Sequence, residues 1–262
     1  VLASPWVGVW PALKFYPLVF AFGACFVGAL WAFFEAMRQE EASRVVPIVG
    51  AFVPMFTWVG EWFFFGTHLT NLQVIGFICL VLATVLFTRG SATRKAVRLE
   101  VLGLAAFAGL LFASASLAGK YAFEHNEFLG VLILSRLAGV VMAILILCIS
   151  GRVVRKEVKQ VIFPPASTQR TSLSLGASAF AIIGQLLGGA GFIAIHLAMV
   201  EGSAALVNAL QAVQYGVLVC IGWIGGLRLR TILQEDTSKQ SLLQKAIGIV
   251  LVALGLWFLT RV

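Results

Sequence analysis

The chain has 262 residues, of which 60% are hydrophobic and 11% charged, and its mean hydropathy is +0.99. Soluble domains are about 45–50% apolar and about 25% charged, so this composition excludes a water-soluble enzyme, a disordered tail and a disulfide scaffold. The net charge of +8 would suggest nucleic acid in a soluble chain, but most Lys and Arg lie between apolar stretches, so no nucleic-acid partner is expected.

Eight apolar stretches are long enough to cross a hydrocarbon core of about 30 Å as helices. In chain order these predicted spans are residues 17–37, 45–65, 72–88, 99–119, 127–149, 176–198, 203–225 and 243–260. The sequence therefore predicts an all-α polytopic membrane protein in the cell (inner) membrane, with the lipid bilayer as its first partner.

The four cysteines all fall within apolar segments and lack the spacing of metal ligands, so neither a metal nor another cofactor is expected. They are Cys25, Cys79, Cys148 and Cys220. The spans also contain no P-loop and no nucleophile–base pair, which argues against an enzyme.

The basic residues are distributed unequally between the two sides of the predicted bundle. Loops 38–44, 89–98, 150–175 and 226–242, with Lys245, hold 15 of the 19 Lys and Arg. Basic loops are retained in the cytoplasm, so the charge count predicts that this side is cytoplasmic and that both ends of the chain lie outside.

The chain contains a weak internal repeat. Short motifs recur in the same order at Ala36-Met37, Ser43, Glu61 and Ile75-Gly76, and again at Ala198-Met199, Ser203, Glu235 and Ile247-Gly248. Counted from these motifs, residues 91–262 form a repeat of five helices, whereas residues 1–90 hold the last three helices of the other copy. Two helices are therefore expected before Val1. Because a five-helix unit reverses its direction across the membrane, the two copies are expected to be inverted, as in alternating-access transporters.

These motifs resemble those of the drug/metabolite transporter superfamily, EamA type. In the first copy, the resemblance rests on Gly60-Glu61 near the end of one span and on the Ile-Gly pair ending at Gly76, which begins the next span. In the second copy, it rests on Glu235 and Gly248. Lys120 after a small-residue helix and Arg136 early in the next helix resemble the opening helix pair of the same repeat.

The resemblance implies ten helices in two inverted five-helix repeats, and export or exchange of small metabolites. The sequence departs from the family pattern at Phe128, where a proline often precedes the Arg, and at Gln234, which stands where the first copy has a glycine. The resemblance also implies cytoplasmic termini, opposite to the charge count.

Polar residues inside a span are costly, so they normally face the bundle interior or a water-filled cavity. Asn208, Gln211 and Tyr215 share one helix face, where they either line a substrate path or hydrogen-bond neighbouring helices. Gln185 and His196 share a face of the preceding span. His196 either couples transport to protons or is a neutral structural residue.

The charged residues of the spans also allow two interpretations each. Arg136 either reaches the membrane interface or binds an anionic group in the cavity. Glu35 either belongs to the polar path or pairs with Arg38 at the interface. A structural role at a helix terminus is favoured for Glu61 and Glu235.

The sequence thus predicts a transporter that moves an unidentified small-molecule substrate by alternating access. One alternative is a non-transporting membrane scaffold or lipid-interacting subunit, in which the polar stripe is an assembly interface. Another is a lipid-head-group translocator. A homodimer is one candidate assembly.

Overall fold

The computed structural model describes residues 10–40, 42–88, 98–149, 175–214, 216–217 and 239–259. This part of the chain contains eight α-helices with defined bounds, one short 3₁₀ turn, Leu13–Phe15, and short helical stretches at 211–214 and 216–217. The helices are α1 Tyr16–Gln39, α2 Ala42–Phe65, α3 Asn71–Thr88, α4 Leu99–His125, α5 Phe128–Ile149, α6 Leu175–Glu201, α7 Ala204–Ala209 and α8 Lys239–Leu259. The predicted all-α polytopic fold is confirmed.

Six of the predicted spans agree with the observed helices to within four residues at both ends. One prediction is wrong in its extent, because helix α4 continues to His125 instead of ending at residue 119. The seventh span, 203–225, is interrupted by a turn at Leu210 after α7 ends at Ala209, and helical geometry resumes at 211–214. Residues 218–225 of that span lie outside the described part of the chain.

Five helical segments are long and apolar enough to cross a membrane. They are Leu13–Gln39, Ile48–Phe65, Leu99–His125, Phe128–Ile149 and Ile182–Glu201. Two shorter apolar helical segments, Asn71–Leu86 and Ala246–Leu259, accompany them. With this many apolar helices, the chain is an integral membrane protein.

Contacts between helix ends define two faces of the bundle. At one face, Arg98 before α4 donates a hydrogen bond to the carbonyl oxygen of Gln39 at the end of α1, at 3.1 Å. At the other, Lys120 near the end of α4 donates to the carbonyl oxygen of Gly202 after α6, at 2.7 Å. We call these the Arg98 face and the Glu61 face, after residues that lie at each. The predicted basic loop 89–98 thus ends at the Arg98 face, beside loop 38–44, as the alternation of spans requires.

Helix α4 lies at the centre and packs against α1 and α2, while α5 packs against the other side of α1. The α1–α5 crossing depends on Gly23. A Cβ atom added there would lie 2.1 Å from the carbonyl oxygen of Ser135 and 2.9 Å from the Cβ of Ala138. Small residues at such crossings let helix backbones approach closely, which is the main source of packing energy between membrane helices.

We expect Gly23→Ala to destabilise the protein by about 1–3 kcal/mol, because the new methyl group would force α1 and α5 apart. Unfolding by sodium dodecyl sulfate or heat measures the loss. Gly103→Ala in α4 is the matched control, because a Cβ added at Gly103 meets no described atom within 4 Å. Equal stability of the two variants would show that the α1–α5 crossing tolerates a wider separation.

Helices α3 and α8 pack against each other in antiparallel fashion. A Cβ added at Gly76, near the start of α3, would lie 2.9 Å from the carbonyl oxygen of Gly255, near the end of α8. Leu80 and Val252 occupy equivalent positions if the repeat aligns Gly76 with Gly248, and both belong to one buried cluster. Antiparallel packing of equivalent helices is the arrangement expected for an inverted repeat. The division of the chain at residue 90 stays a prediction.

Helix α6 is exposed at residues 182–191, where the rest of the described chain does not cover it. Leu186 is 69% exposed, and no described atom lies within 4 Å of a Cβ built at Gly184, Gly188, Gly189 or Gly191. The run Gly188-Gly189-Ala190-Gly191 would let a neighbouring helix backbone approach closely, but among the described residues no neighbour approaches it.

Candidate functional site

Asn208 connects three helices in the interior. Its amide nitrogen donates hydrogen bonds to the hydroxyl oxygens of Thr57 in α2 and Ser116 in α4, at 3.0 and 3.3 Å. Each hydroxyl in turn donates to a carbonyl oxygen one turn earlier, Thr57 to Val53 and Ser116 to Phe112. Asn208 therefore binds neighbouring helices, as one of its two predicted roles requires.

Asn208 also lines a cavity of about 250 Å³ between α1, α2, α4, α6 and α7, as does Gln211. The wall is mainly apolar, and its polar side chains are Ser116, His196, Asn208 and Gln211. Its α1 residues, Phe22 to Phe33, cross the middle of that helix, and its α4 and α6 residues come from the parts of those helices nearer the Glu61 face. Its α2 residues, Val46 to Val53, come from the first half of α2. The cavity thus lies in the middle of the bundle and extends along α2 toward the Arg98 face.

His196 is buried among aromatic rings beside this cavity. Its Nδ1 atom lies 2.8 Å from the carbonyl oxygen of Phe192, a distance at which a ring N–H donates to the carbonyl. Its ring centroid lies 4.0 Å from that of Phe192, 5.4 Å from that of Phe22 and 5.5 Å from that of Phe123. These contacts fix the orientation of the imidazole, while a role in proton coupling stays a prediction.

At the Glu61 face, a buried ion pair joins the ends of α2 and α4. Lys120 Nζ lies 2.9 Å from Glu61 Oε1, and the two residues are 6% and 1% exposed. Lys120 also lies 5.5 Å from the centroid of the Phe65 ring and 4.0 Å from Glu124. Two charges that leave water together need close contact and further hydrogen bonds, which this arrangement provides.

The same carboxylate binds the start of α7. Glu61 accepts hydrogen bonds from the backbone N–H groups of Ala204 and Ala205, at 2.7 and 3.0 Å, and from the Ser203 hydroxyl at 2.5 Å. The first N–H groups of a helix have no partner within the helix, and a carboxylate is favoured beside them. With Lys120 bound to the Gly202 carbonyl oxygen, this Glu61 cluster fastens α2 and α4 to the α6–α7 connection.

Arg136 occupies the ninth position of α5 and turns toward α1 and α6. Its guanidinium carbon lies 4.0 Å from the centroid of the Phe192 ring and 5.2 Å from that of Phe26. It also borders a groove of about 320 Å³ between α1 and α5. In the part of the chain that the structure describes, Arg136 has no ion pair and no hydrogen bond.

The remaining predicted residues separate into three groups. Gln185 is exposed on α6 and lies outside the cavity, so the structure does not bring it together with Asn208. Gly60, Gly76 and Gly248 are buried within their helices. Tyr215 and Glu235 lie outside the described residues.

Of the two interpretations of Glu35, the pairing with Arg38 is the one that its contacts show. Arg38 donates two hydrogen bonds to Glu35, from Nη2 at 2.7 Å and from Nε at 2.9 Å. This pair lies near the Arg98 face, one turn before α1 ends, and Glu35 does not line the cavity.

Sequence reasoning missed two members of the site, Thr57 and Ser116. In sequence, both are small polar residues in apolar helices, where most such hydroxyls hydrogen-bond a carbonyl oxygen of their own helix. Only their meeting with Asn208, at separations of 151 and 92 residues, gives them a further role. No short-range pattern contains that information.

Comparison with known proteins supports the fold and the family resemblance. One crystal structure superposes on the chain with a TM-score of 0.61, covering 94% of this chain and 76% of the other, at 17% identity. That likeness shows the fold alone. No curated protein sequence matches the chain.

Residues 2–89 match the EamA-like transporter family. The matched segment contains the first copy of the motif, Gly60-Glu61 and Gly76, and ends before Lys120 and Arg136. Members of that family are membrane transporters of small solutes. The EamA resemblance is thus confirmed for residues 2–89, and the chain is an integral membrane protein in which that segment is similar to the EamA-like transporter family.

Proposed function

We propose that this protein transports a small metabolite by alternating access, with the cavity beside Asn208 as the substrate path. The observation that carries the proposal is the asymmetry of the interior. The cavity extends toward the Arg98 face, whereas the Glu61 cluster joins α2, α4 and α7 at the opposite face. A path that is closed at one face and extends toward the other is the arrangement expected of one state of an alternating-access cycle.

The cavity also favours transport over a scaffold role. A scaffold would use Asn208 and its partners only to pack helices, and no space beside them would be needed. The side chains of His196, Asn208 and Gln211 border about 250 Å³ of space instead, with aromatic rings around it. Such a mixed lining suits a small solute with an apolar body and a few polar groups.

Thiol accessibility tests this path. We expect cysteines at Val49 and Gln211, both in the cavity wall, to react with a charged water-soluble thiol reagent in a variant whose native cysteines are alanine. A solute that raises the thermal stability of the purified protein should slow the reaction, because it would occupy the same space.

Ile144→Cys is the matched control, since Ile144 lies exposed on the outer surface of α5, where lipid excludes a charged reagent. Reaction at Val49 and Gln211 with none at Ile144 supports the path. Inert cysteines at both cavity positions would contradict it and favour the scaffold.

A further inference from the structure

A charged guanidinium within an apolar membrane helix is costly unless an opposite charge lies beside it. Charged residues within membrane spans normally pair with one another or mark the path of a substrate or ion. Arg136 has neither an ion pair nor a hydrogen bond among the described residues, although a guanidinium carries five N–H donors. Its guanidinium lies over the rings of Phe26 and Phe192.

Those rings connect Arg136 to the cavity. Phe26 and Phe192 contact each other edge to face, with centroids 5.8 Å apart, and both line the cavity wall. Phe26 also lines the groove in which Arg136 lies. The ring pair therefore lies between the cation and the proposed substrate path, since both rings contact Arg136 and line the cavity, whereas Arg136 itself does not line it.

We propose that Arg136 binds the anionic group of an organic anion, whose apolar part packs against Phe26 and Phe192. This inference rests on the proposed transport function and names the substrate class. A guanidinium binds carboxylate and phosphate through paired N–H groups, and stacking on aromatic rings holds its plane without using those donors.

The test compares probes of one shape and different charge on the purified full chain. The protein is placed in nanodiscs of zwitterionic phosphatidylcholine, so that no lipid anion competes, and thermal unfolding is followed with benzoate, phenyl phosphate, benzamide and benzylamine. We expect benzoate or phenyl phosphate to raise the melting temperature, with no comparable effect of benzamide or benzylamine. The anion that raises the melting temperature more, benzoate or phenyl phosphate, indicates whether the substrate carries a carboxylate or a phosphate.

Variants then assign the effect to one residue. Arg136→Gln should raise the benzoate concentration that gives half of the shift at least about tenfold, a factor that corresponds to about 1.4 kcal/mol. Arg136→Lys should lose less, because it keeps the charge without the paired donors. Arg38→Gln is the matched control, since it removes the same charge from the exposed pair with Glu35.

The possible results distinguish failure of the anion site from failure of the transport path. The proposal would be overturned if benzamide and benzoate raised the melting temperature equally, if Arg136→Gln responded like the unmodified protein, or if no probe raised the melting temperature. It would also be overturned if anionic phosphatidylglycerol in the nanodisc stabilised the protein and none of the soluble anions did. If Arg136→Gln does not fold, the ranking of the four probes on the unmodified protein still decides. Thiol labelling at Val49 and Gln211 does not involve Arg136, so the transport path can stand when the anion site fails.

Discussion

Lys120→Met should lower the stability of the folded protein by about 3–5 kcal/mol, the loss typical when one partner of a buried ion pair is removed. The carboxylate of Glu61 would stay 1% exposed without its counter-ion, and the Gly202 carbonyl oxygen would lose its donor. Glu61→Gln should lose a comparable amount, because its amide group would place N–H donors among the donors of α7 and Lys120. Unfolding in sodium dodecyl sulfate measures both.

The pair between Arg38 and Glu35 is the matched control. Its hydrogen bonds are as short as those of the buried pair, but its side chains are 76% and 24% exposed. Exposed pairs contribute about 0–1 kcal/mol, so Arg38→Met should change stability by no more than that. Equal losses in Lys120→Met and Arg38→Met would show that the Glu61 cluster is hydrated and does not hold the bundle together.

Most of the fold could be predicted because the membrane itself sets the pattern. A hydrocarbon core of fixed thickness requires helices of about 20 apolar residues, and their ends are visible where polar residues begin. That rule fails at Lys120, because it ends the predicted span at residue 119, just before this charged residue. The ion pair with Glu61 lets the lysine stay buried, so α4 continues for a further turn and a half to His125.

The site could be predicted only in part, because its residues are joined by tertiary contacts. Asn208 and His196 were identifiable as polar groups in apolar helices, and both border the cavity. The meeting of Glu61 with α7 was not identifiable. A helix-terminus role was expected for Glu61, but the terminus that it binds belongs to a helix 142 residues or more away. Spacing within one helix cannot indicate such a partner.

Opening of the Glu61 face is the step that the proposed transport cycle requires. The double variant Glu61→Gln, Lys120→Met removes both charges and leaves no buried ion without a partner. It also removes the carboxylate that holds the start of α7, so the closed arrangement of this face should lose part of its advantage over the open one. Met199, which is 2% exposed near the end of α6, lies in the cavity wall and reports on this change.

With Met199→Cys in the cysteine-free protein, a membrane-impermeant thiol reagent applied at the Glu61 face should react at least about tenfold faster in the double variant, equivalent to a shift of about 1.4 kcal/mol between the closed and open states. Replacing Glu35 and Arg38 in the same way should leave the rate unchanged. The side on which the double variant gains rate also tests orientation, because the charge count places the Glu61 face outside, where intact cells expose it to the reagent. A gain in rate only in inverted vesicles would favour the orientation implied by the family. A folded double variant that reacts no faster from either side would mean that the Glu61 cluster does not close the path.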